Sequence, residues 1–391
     1  MSRRSMIIVG LAVTLIGALG AGQAALLAST AQSVQAPRFE VDPMWPKPLP
    51  NHWIIGSAVG VAVDSRDHVF IIHRGDSTLN QRTESGGAAK PPLGECCSAA
   101  PAIVEFDADG NYVNAFGAPG AGYDWPESQH GVSVDDKDNV WIGGNGRLDS
   151  HILKFSRDGK FLQQIGVAKQ AVASRDSTHF GRVAKISFDV AAQEAYIADG
   201  YGNKRVAVID MTSGKIKRFW GAYGKAPLDT NMGPYNPENP PAPQFRNPVH
   251  CAEPTTDGLV YVCDRVNDRV QVFKKNGDFV KEKILFPATR GDGSVWDIAF
   301  SKDKAQKYIF MADGRNERIY VVDRQSLEVL TMFGDGGRQP GQFFAVHSIA
   351  TDSKGNIYTT ETYEGKRVQK FVAKGMGSVS KNQGVPWPGK R

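Results

Sequence analysis

The stretch His130-Gly131-Val132-Ser133-Val134-Asp135-Asp136-Lys137-Asp138-Asn139-Val140-Trp141-Ile142 holds an apolar run, an Asp-rich turn and a second apolar run. That pattern specifies a tight antiparallel hairpin. It recurs along the chain. Upstream, Val61-Ala62-Val63-Asp64 runs through Asp67 into Val69-Phe70-Ile71-Ile72. Downstream, Ile186-Ser187-Phe188-Asp189 leads to Tyr196-Ile197-Ala198-Asp199, and Ala252 to Thr256 leads through Asp257-Gly258 to Val260-Tyr261-Val262. Ile298-Ala299-Phe300 leads to Ile309-Phe310-Met311, and Ile349-Ala350-Thr351-Asp352 turns at Lys354-Gly355-Asn356 into Ile357-Tyr358. A third strand follows with a polar lead-in, as in Asn203-Lys204-Arg205-Val206, Asn267-Asp268-Arg269-Val270, Asn316-Glu317-Arg318-Ile319 and Gly365-Lys366-Arg367-Val368. Phe116-Gly117, Trp220-Gly221 and Phe333-Gly334 close units.

Six such units of roughly 40 to 60 residues predict an all-β, six-bladed β-propeller, because one blade cannot bury both faces until neighbours stack on it. Phe39-Glu40-Val41 is positioned to supply the outer strand of the last blade and close the ring. One propeller domain is expected over 37–375, followed by a loose polar tail over 376–391. Two insertions interrupt the repeat, Asp76 to Pro101 and Ala222 to Pro248. Loops of that length are binding-face elements or tolerated surface insertions.

The equivalent position of each first strand is Val59, His130, Ala184, His250, Trp296 and His347. Alternate blades of a six-membered ring are related by a threefold turn, so the three histidines are expected to converge on the axis. A histidine standing alone is more often a structural, hydrogen-bonded residue; three in strict alternation call for a common cause. Three neutral imidazoles leave zinc one open position for water or a substrate oxygen. Just after second strands, and so on the same rim, come Arg74, Tyr201 and Arg265. Paired guanidiniums suit a carboxylate, and a phenol beside them suits proton transfer. The competing role for such arginines is pairing with the recurrent blade aspartates.

Arg3 and Arg4 precede an uncharged apolar stretch from Met6 to Leu19, with small residues near Ala24, Ala31 and Ala36. Residues 1–36 therefore read as an export signal or, if uncleaved, an N-terminal anchor, giving a secreted or periplasmic protein. Ser2-Arg3-Arg4 is faintly like a twin-arginine signal. The net charge of +5 includes those arginines and the tail's Lys381, Lys390 and Arg391, so no nucleic-acid partner is implied. Contact with a membrane is expected only through an uncleaved signal segment. Among the four cysteines, Cys251 and Cys263 lie at cross-strand separation; adjacent Cys96 and Cys97 are open to a vicinal cystine or to free thiols.

The motifs His73-Arg74-Gly75-Asp76, His130-Gly131-Val132-Ser133-Val134-Asp135, Asp199-Gly200-Tyr201-Gly202-Asn203, His250 with Asp264-Arg265, and His347 resemble the peptidyl-α-hydroxyglycine α-amidating lyases. These are NHL-repeat propellers, and the likeness runs in order from about Phe39 to Phe371. The resemblance implies zinc on His130, His250 and His347, with Arg74, Tyr201 and Arg265 as active-site groups. It further implies cleavage of a C-terminal α-hydroxyglycine, or a similar small N-acyl hydroxy acid, to an amide and glyoxylate. The substrate would be a small molecule or a peptide C-terminal carboxylate.

The chain departs from the family in places. Ser348 stands where the family has a calcium-ligating aspartate, so the backbone carbonyls of Val61 and Val132 would hold calcium weakly at best. The family's disulfide positions are lost at Gly181 and Gly202 and at Cys263 and Val272, and the chain has no room for the copper monooxygenase of the fused enzymes. Two other classes are consistent with a propeller: a non-catalytic NHL-type module binding a peptide or cell-envelope ligand, and a metal-dependent lactonase. The lactonase needs carboxylates and amides at the axis, where this chain has histidines.

Overall fold

The computed structural model describes residues 33–389. Six four-stranded sheets follow one another around a ring. Blades 1 to 5 span 57–116, 129–166, 183–220, 249–284 and 297–333; blade 6 combines 346–379 with Val34–Asp42. The chain is a six-bladed β-propeller, as the repeat predicts.

The core follows from the apolar character of both blade faces. There is one apolar cluster at each seam between blades. Val61, Ile71 and Phe106 of blade 1 meet Tyr358 and Val368 of blade 6, and Phe70 and Ile72 meet Val132, Val140 and Ile142 of blade 2. Around the ring, Trp141 of blade 2 packs on Ile197 of blade 3, and Tyr196 of blade 3 on Val262 of blade 4. Val272 of blade 4 packs near Met311 of blade 5, and Phe310 of blade 5 near Ile349 of blade 6. Second strands such as Glu194–Asp199, covered on both faces, are buried along their whole length.

The ring closes between the two ends of the chain. Val34–Asp42 pairs antiparallel with Arg367–Val379, with Phe39 opposite Ala373 and Val41 opposite Phe371. The Phe39 ring packs on Phe310 at 5.3 Å and Phe333 at 5.4 Å between centroids. The boundaries lie further out than 37 and 375. The last strand continues to Val379, Asn382 bridges to Met332, and the Pro386 carbonyl accepts from Val41 N at 2.8 Å. The segment expected to be a loose tail is thus docked as far as Pro386, because it satisfies main-chain groups of blades 5 and 6 that would otherwise lack partners.

Most of the expected signal, including Arg3, Arg4, Ala24 and Ala31, lies outside the described residues. Ala36 lies inside the closing strand, fully buried opposite Gly377. Cleavage there would remove part of that strand. Among the described residues no helix is long and apolar enough to cross a membrane.

Both cysteine pairs are disulfide-bonded. Cys251 and Cys263 face each other across paired strands with Cα atoms 4.8 Å apart, and Cys96 and Cys97 form a vicinal cystine in the first insertion. That insertion also carries Ser98–Ala99, which pairs in parallel with Trp53–Ile54.

Phe39→Ala removes the side chain that anchors the closing strand to blade 5. Its expected cost is about 3–5 kcal/mol, read from urea unfolding of the protein. A change under about 1 kcal/mol would mean that the strand contributes little to closure.

Candidate functional site

The ladder of five first strands is irregular at the ring position. The register shifts fall between Ala58 and Gly60, His130 and Val132, Val183 and Lys185, Val249 and Cys251, and Val346 and Ser348. A bulge leaves one residue unpaired and re-aims the side chains around it. In blade 2 the extra residue is Gly131, with φ +58 and room for a Cβ only 2.4 Å from the Ala184 carbonyl oxygen. No other residue type fits this step, which brings blade 2 close against blade 3.

The irregularity brings the three histidines together. His130, His250 and His347 are 1%, 3% and 3% exposed, and one nitrogen from each lies within 4.8 Å of the others. Ring centroids are 5.3 Å apart for His130 and His250 and 4.8 Å for each pairing with His347. His130 Nδ1 donates to the Ala184 carbonyl at 2.7 Å, and His250 Nδ1 donates to the Trp296 carbonyl. A carbonyl only accepts, so both rings carry their proton on Nδ1 and present an Nε2 lone pair to the centre. His347 Nδ1 is buried without a partner among the described residues. Burial, reinforced by Arg74 at His130, by Arg265 at His250 and by the other two imidazoles at His347, holds all three well below the usual histidine range. Three neutral imidazoles, two of them of fixed tautomer, converging without a carboxylate among them, match the donor set that a tetrahedral zinc with one open position uses.

Tyr201 meets this cluster from the loop after Glu194–Asp199. Its hydroxyl lies 3.0 Å from His130 Nε2 and 3.1 Å from His250 Nε2. The loop approaches closely because Gly200 stands where a Cβ would lie 2.0 Å from the Val249 carbonyl oxygen, next to His250. Arg265, directly after Leu259–Asp264, donates to the Tyr201 hydroxyl at 3.4 Å and to Asp292 at 3.2 Å, and stacks 4.5 Å from the Trp296 ring centroid. Arg74, ending Val69–Arg74, donates from Nε to the Gln129 carbonyl at 3.0 Å and from Nη2 to Asn145 Oδ1 at 2.8 Å. It makes no ion pair among the described residues.

The structure thus brings His130, His250, His347, Tyr201 and Arg265 into direct contact, with Arg74 on the same rim. The competing structural role falls to other arginines: Arg205 pairs with Asp199, Arg269 with Asp264 and Arg367 with Glu361. Sequence reasoning missed Gln129, Asn145 and Asp292, which hold the site arginines, and Tyr363, whose phenol is close enough to Asp292, Arg265 and Tyr201 to feel their charge. The equivalent-position count already contained Trp296. Tyr363 was also findable, since it follows the second strand of blade 6 as Tyr201 follows that of blade 3.

Away from the histidines along the axis, Val61 and Val132 line a cavity of about 360 Å3 together with Lys185. The Lys185 ammonium lies 2.7 Å from Asp297 Oδ1 and 2.9 Å from Glu253 Oε1. Asp297 Oδ2 accepts from Ser348 Oγ at 2.7 Å and Ile349 N at 3.0 Å. Burial opposes the lysine's charge, but Asp297 and Glu253 outweigh it and hold its pKa above the ordinary value.

His73 braces the strand end that carries Arg74. Its Nδ1 accepts from Gly56 N at 3.2 Å and its Nε2 donates to the Pro101 carbonyl at 3.0 Å. Burial pushes its pKa down to about 4.

No family model matches the chain. Peptidyl-alpha-hydroxyglycine alpha-amidating lyase 1 of Drosophila melanogaster is 25% identical over 351 residues, covering 84% of this chain. This chain spans only 58% of that relative's length. NHL repeat-containing protein 3 of Mus musculus is 23% identical over 358 residues, covering 87% of this chain and 85% of that protein. Among solved structures, a protein of unknown function from Bacteroides thetaiotaomicron superimposes with a TM-score of 0.53 at 14% identity, over 87% of this chain and 77% of that one. This last likeness is one of fold.

Two measurements check these placements. Lys185→Met strands the buried Asp297 carboxylate and is expected to cost about 3–5 kcal/mol in urea unfolding, part of which the double variant with Asp297→Asn recovers. Equal stability of Lys185→Met and wild type would refute the axial pair. His73 binds a proton more readily unfolded than folded, so stability is intact above about 6.5 and drains as pH falls towards about 4. The full difference is on the order of 3 kcal/mol. His73→Gln should flatten the acid limb by that share, and an unchanged limb would rule out the neutral buried ring.

Proposed function

We propose that the chain is a carbon–nitrogen lyase that cleaves a C-terminal α-hydroxyglycine, or a similar small N-acyl hydroxy acid, into an amide and glyoxylate. The observation that carries this reading is the contact of Tyr201 with two imidazoles of a three-histidine cluster and with Arg265. The likeness to amidating lyases supports it.

His130, His250 and His347 would hold zinc, which when bound supplies a Lewis acid for the substrate hydroxyl. Arg265, oriented by Asp292 and Trp296, and Arg74, oriented by Gln129 and Asn145, bind the carboxylate and fix the hydroxyl beside Tyr201. Tyr201 accepts the hydroxyl proton at its phenolic oxygen. The O–H electron pair becomes the second carbon–oxygen bond of glyoxylate, and the carbon–nitrogen pair leaves with nitrogen. Tyr201 returns the proton to nitrogen, completing the amide. Atoms and electrons balance without an oxidant.

Calcium has no part in this reading, since the Lys185 ammonium already supplies a cation to the cavity that Val61 and Val132 line. Export to an oxidising compartment is part of it. The two disulfides support that location.

The comparable likeness to NHL repeat-containing protein 3 favours a second reading, a non-catalytic propeller that uses the same rim for ligand capture. Elemental analysis and glyoxylate release from α-hydroxyhippurate separate the two. The lyase predicts about one zinc per mature chain, lost in His250→Ala together with turnover. Tyr201→Phe should keep its zinc and lose about 10²–10⁴-fold in kcat. Stoichiometric zinc with no glyoxylate would leave the binding module as the better account.

A further inference from the structure

The second insertion builds a cavity of about 490 Å3 over blades 3 and 4, lined by Lys204, Arg246 and Arg290 with Asn231, Asn247 and Tyr235. Three cationic side chains share this space, and no carboxylate lines it. None of the three forms an ion pair among the described residues. Of the nearby acids, Asp268 lies behind Tyr235 and accepts from Ser294 N at 2.7 Å. Asp229 accepts from Ser174, and Asp264 holds Arg269 and Asn267.

A solvated surface patch does not account for this arrangement. Lys204 is only 7% exposed, and its ammonium donates to the Thr230 carbonyl at 2.5 Å. Burial lowers its pKa, a cost that Asp229 only partly relieves. The Arg246 fork is held in place by Asn267 Oδ1 at 2.7 Å and by the Gly233 carbonyl. Arg290 is exposed at the mouth. Like charges gathered in a concave, partly desolvated space repel one another, and the field they focus there favours an anion. Guanidinium forks flanked by amides and a phenol match the acceptor geometry of an oxyanion.

The cavity adjoins the histidine site. Val266 follows Arg265, Gly291 precedes the Asp292 that pairs with Arg265, and Asn247 Nδ2 donates to the carbonyls of Gly200 and Asn203 at 2.7 Å each, on either side of Tyr201. We infer that Lys204, Arg246 and Arg290 form an oxyanion-binding subsite that takes a carboxylate or phosphate group beside the three-histidine centre. The group is borne by the acyl part of the substrate or is a free anion. The first of these sources rests on the lyase reading; binding of the anion does not.

Calorimetry on the mature chain tests binding, with inorganic phosphate and succinate titrated into wild type, Arg290→Gln and Arg246→Gln at low ionic strength. Arg290 has no hydrogen-bonded partner among the described residues, so its variant should melt as wild type does. Saturable binding in wild type, weakened about tenfold in each variant, supports the subsite. No saturable binding, or equal affinity in all three proteins, overturns it.

Kinetics then identify the source. A lower KM for N-succinyl than for N-benzoyl hydroxyglycine, lost in Arg290→Gln, assigns the anion to the substrate. Equal KM values alongside phosphate binding assign a free anion. If no hydroxyglycine is cleaved, the lyase reading fails while calorimetry still decides the subsite.

Discussion

Closure of the ring by Val34–Asp42 against Arg367–Val379 is the constraint on which the rest depends. Blades share their apolar faces, so an open ring would leave two of them wet. Closure also fixes the symmetry, and only in a closed ring of six do alternate first strands face a common axis. His130, His250 and His347 are 120 and 97 residues apart in sequence, and no local structure could bring them within 4.8 Å. The loop-closure entropy of that meeting is absorbed by six seams of packed apolar side chains.

Within the ring, the recurrent bulge converts a scaffold into a site. A regular ladder would point ring-position side chains out of one face of the blade. The shift at five first strands brings them to the axis, and each blade fills the position according to its neighbours. At His130 and His250 the carbonyls of Ala184 and Trp296 in the next blade fix the tautomer. One residue further along, Lys185, Asp297 and Ser348 form a buried polar network on the same axis. Two chemistries thus share one channel: an uncharged donor set at one level and a lysine bridging two carboxylates at the next.

The fold and the three-histidine alternation were legible in the sequence because both are written in local, repeated patterns. Strand alternation, Asp-Gly turns and a fixed count from each first strand need no knowledge of which blade touches which. What escaped depends on contacts between blades or on the chain ends. Gln129 and Asn145 hold Arg74 from the neighbouring blade, and Asp292 reaches Arg265 from a loop with no repeat counterpart. Ser348 read as the loss of an acid. The compensating Asp297 stands at the same repeat position one blade earlier, and its carboxylate accepts the Ser348 hydroxyl. The docked tail was illegible for another reason: its polar composition resembles a loose end, while its bonds to Val41 and Gly334 are made by the main chain.

The arginines divide by whether an acid meets their charge. Arg205, Arg269 and Arg367 begin third strands opposite the acid that ends each second strand, so register alone neutralises them. Arg74 and Arg265 instead follow or end second strands, where the repeat supplies no acid at that step. Arg74 has only neutral acceptors, and Arg265 has a partly exposed aspartate and an indole face. Lys204, Arg246 and Arg290 add uncompensated charge at the adjoining insertion. Cationic side chains that the strand register does not neutralise thus gather on the rim that surrounds the neutral imidazoles. Such a rim draws anions towards a centre that has no negative charge of its own to repel them.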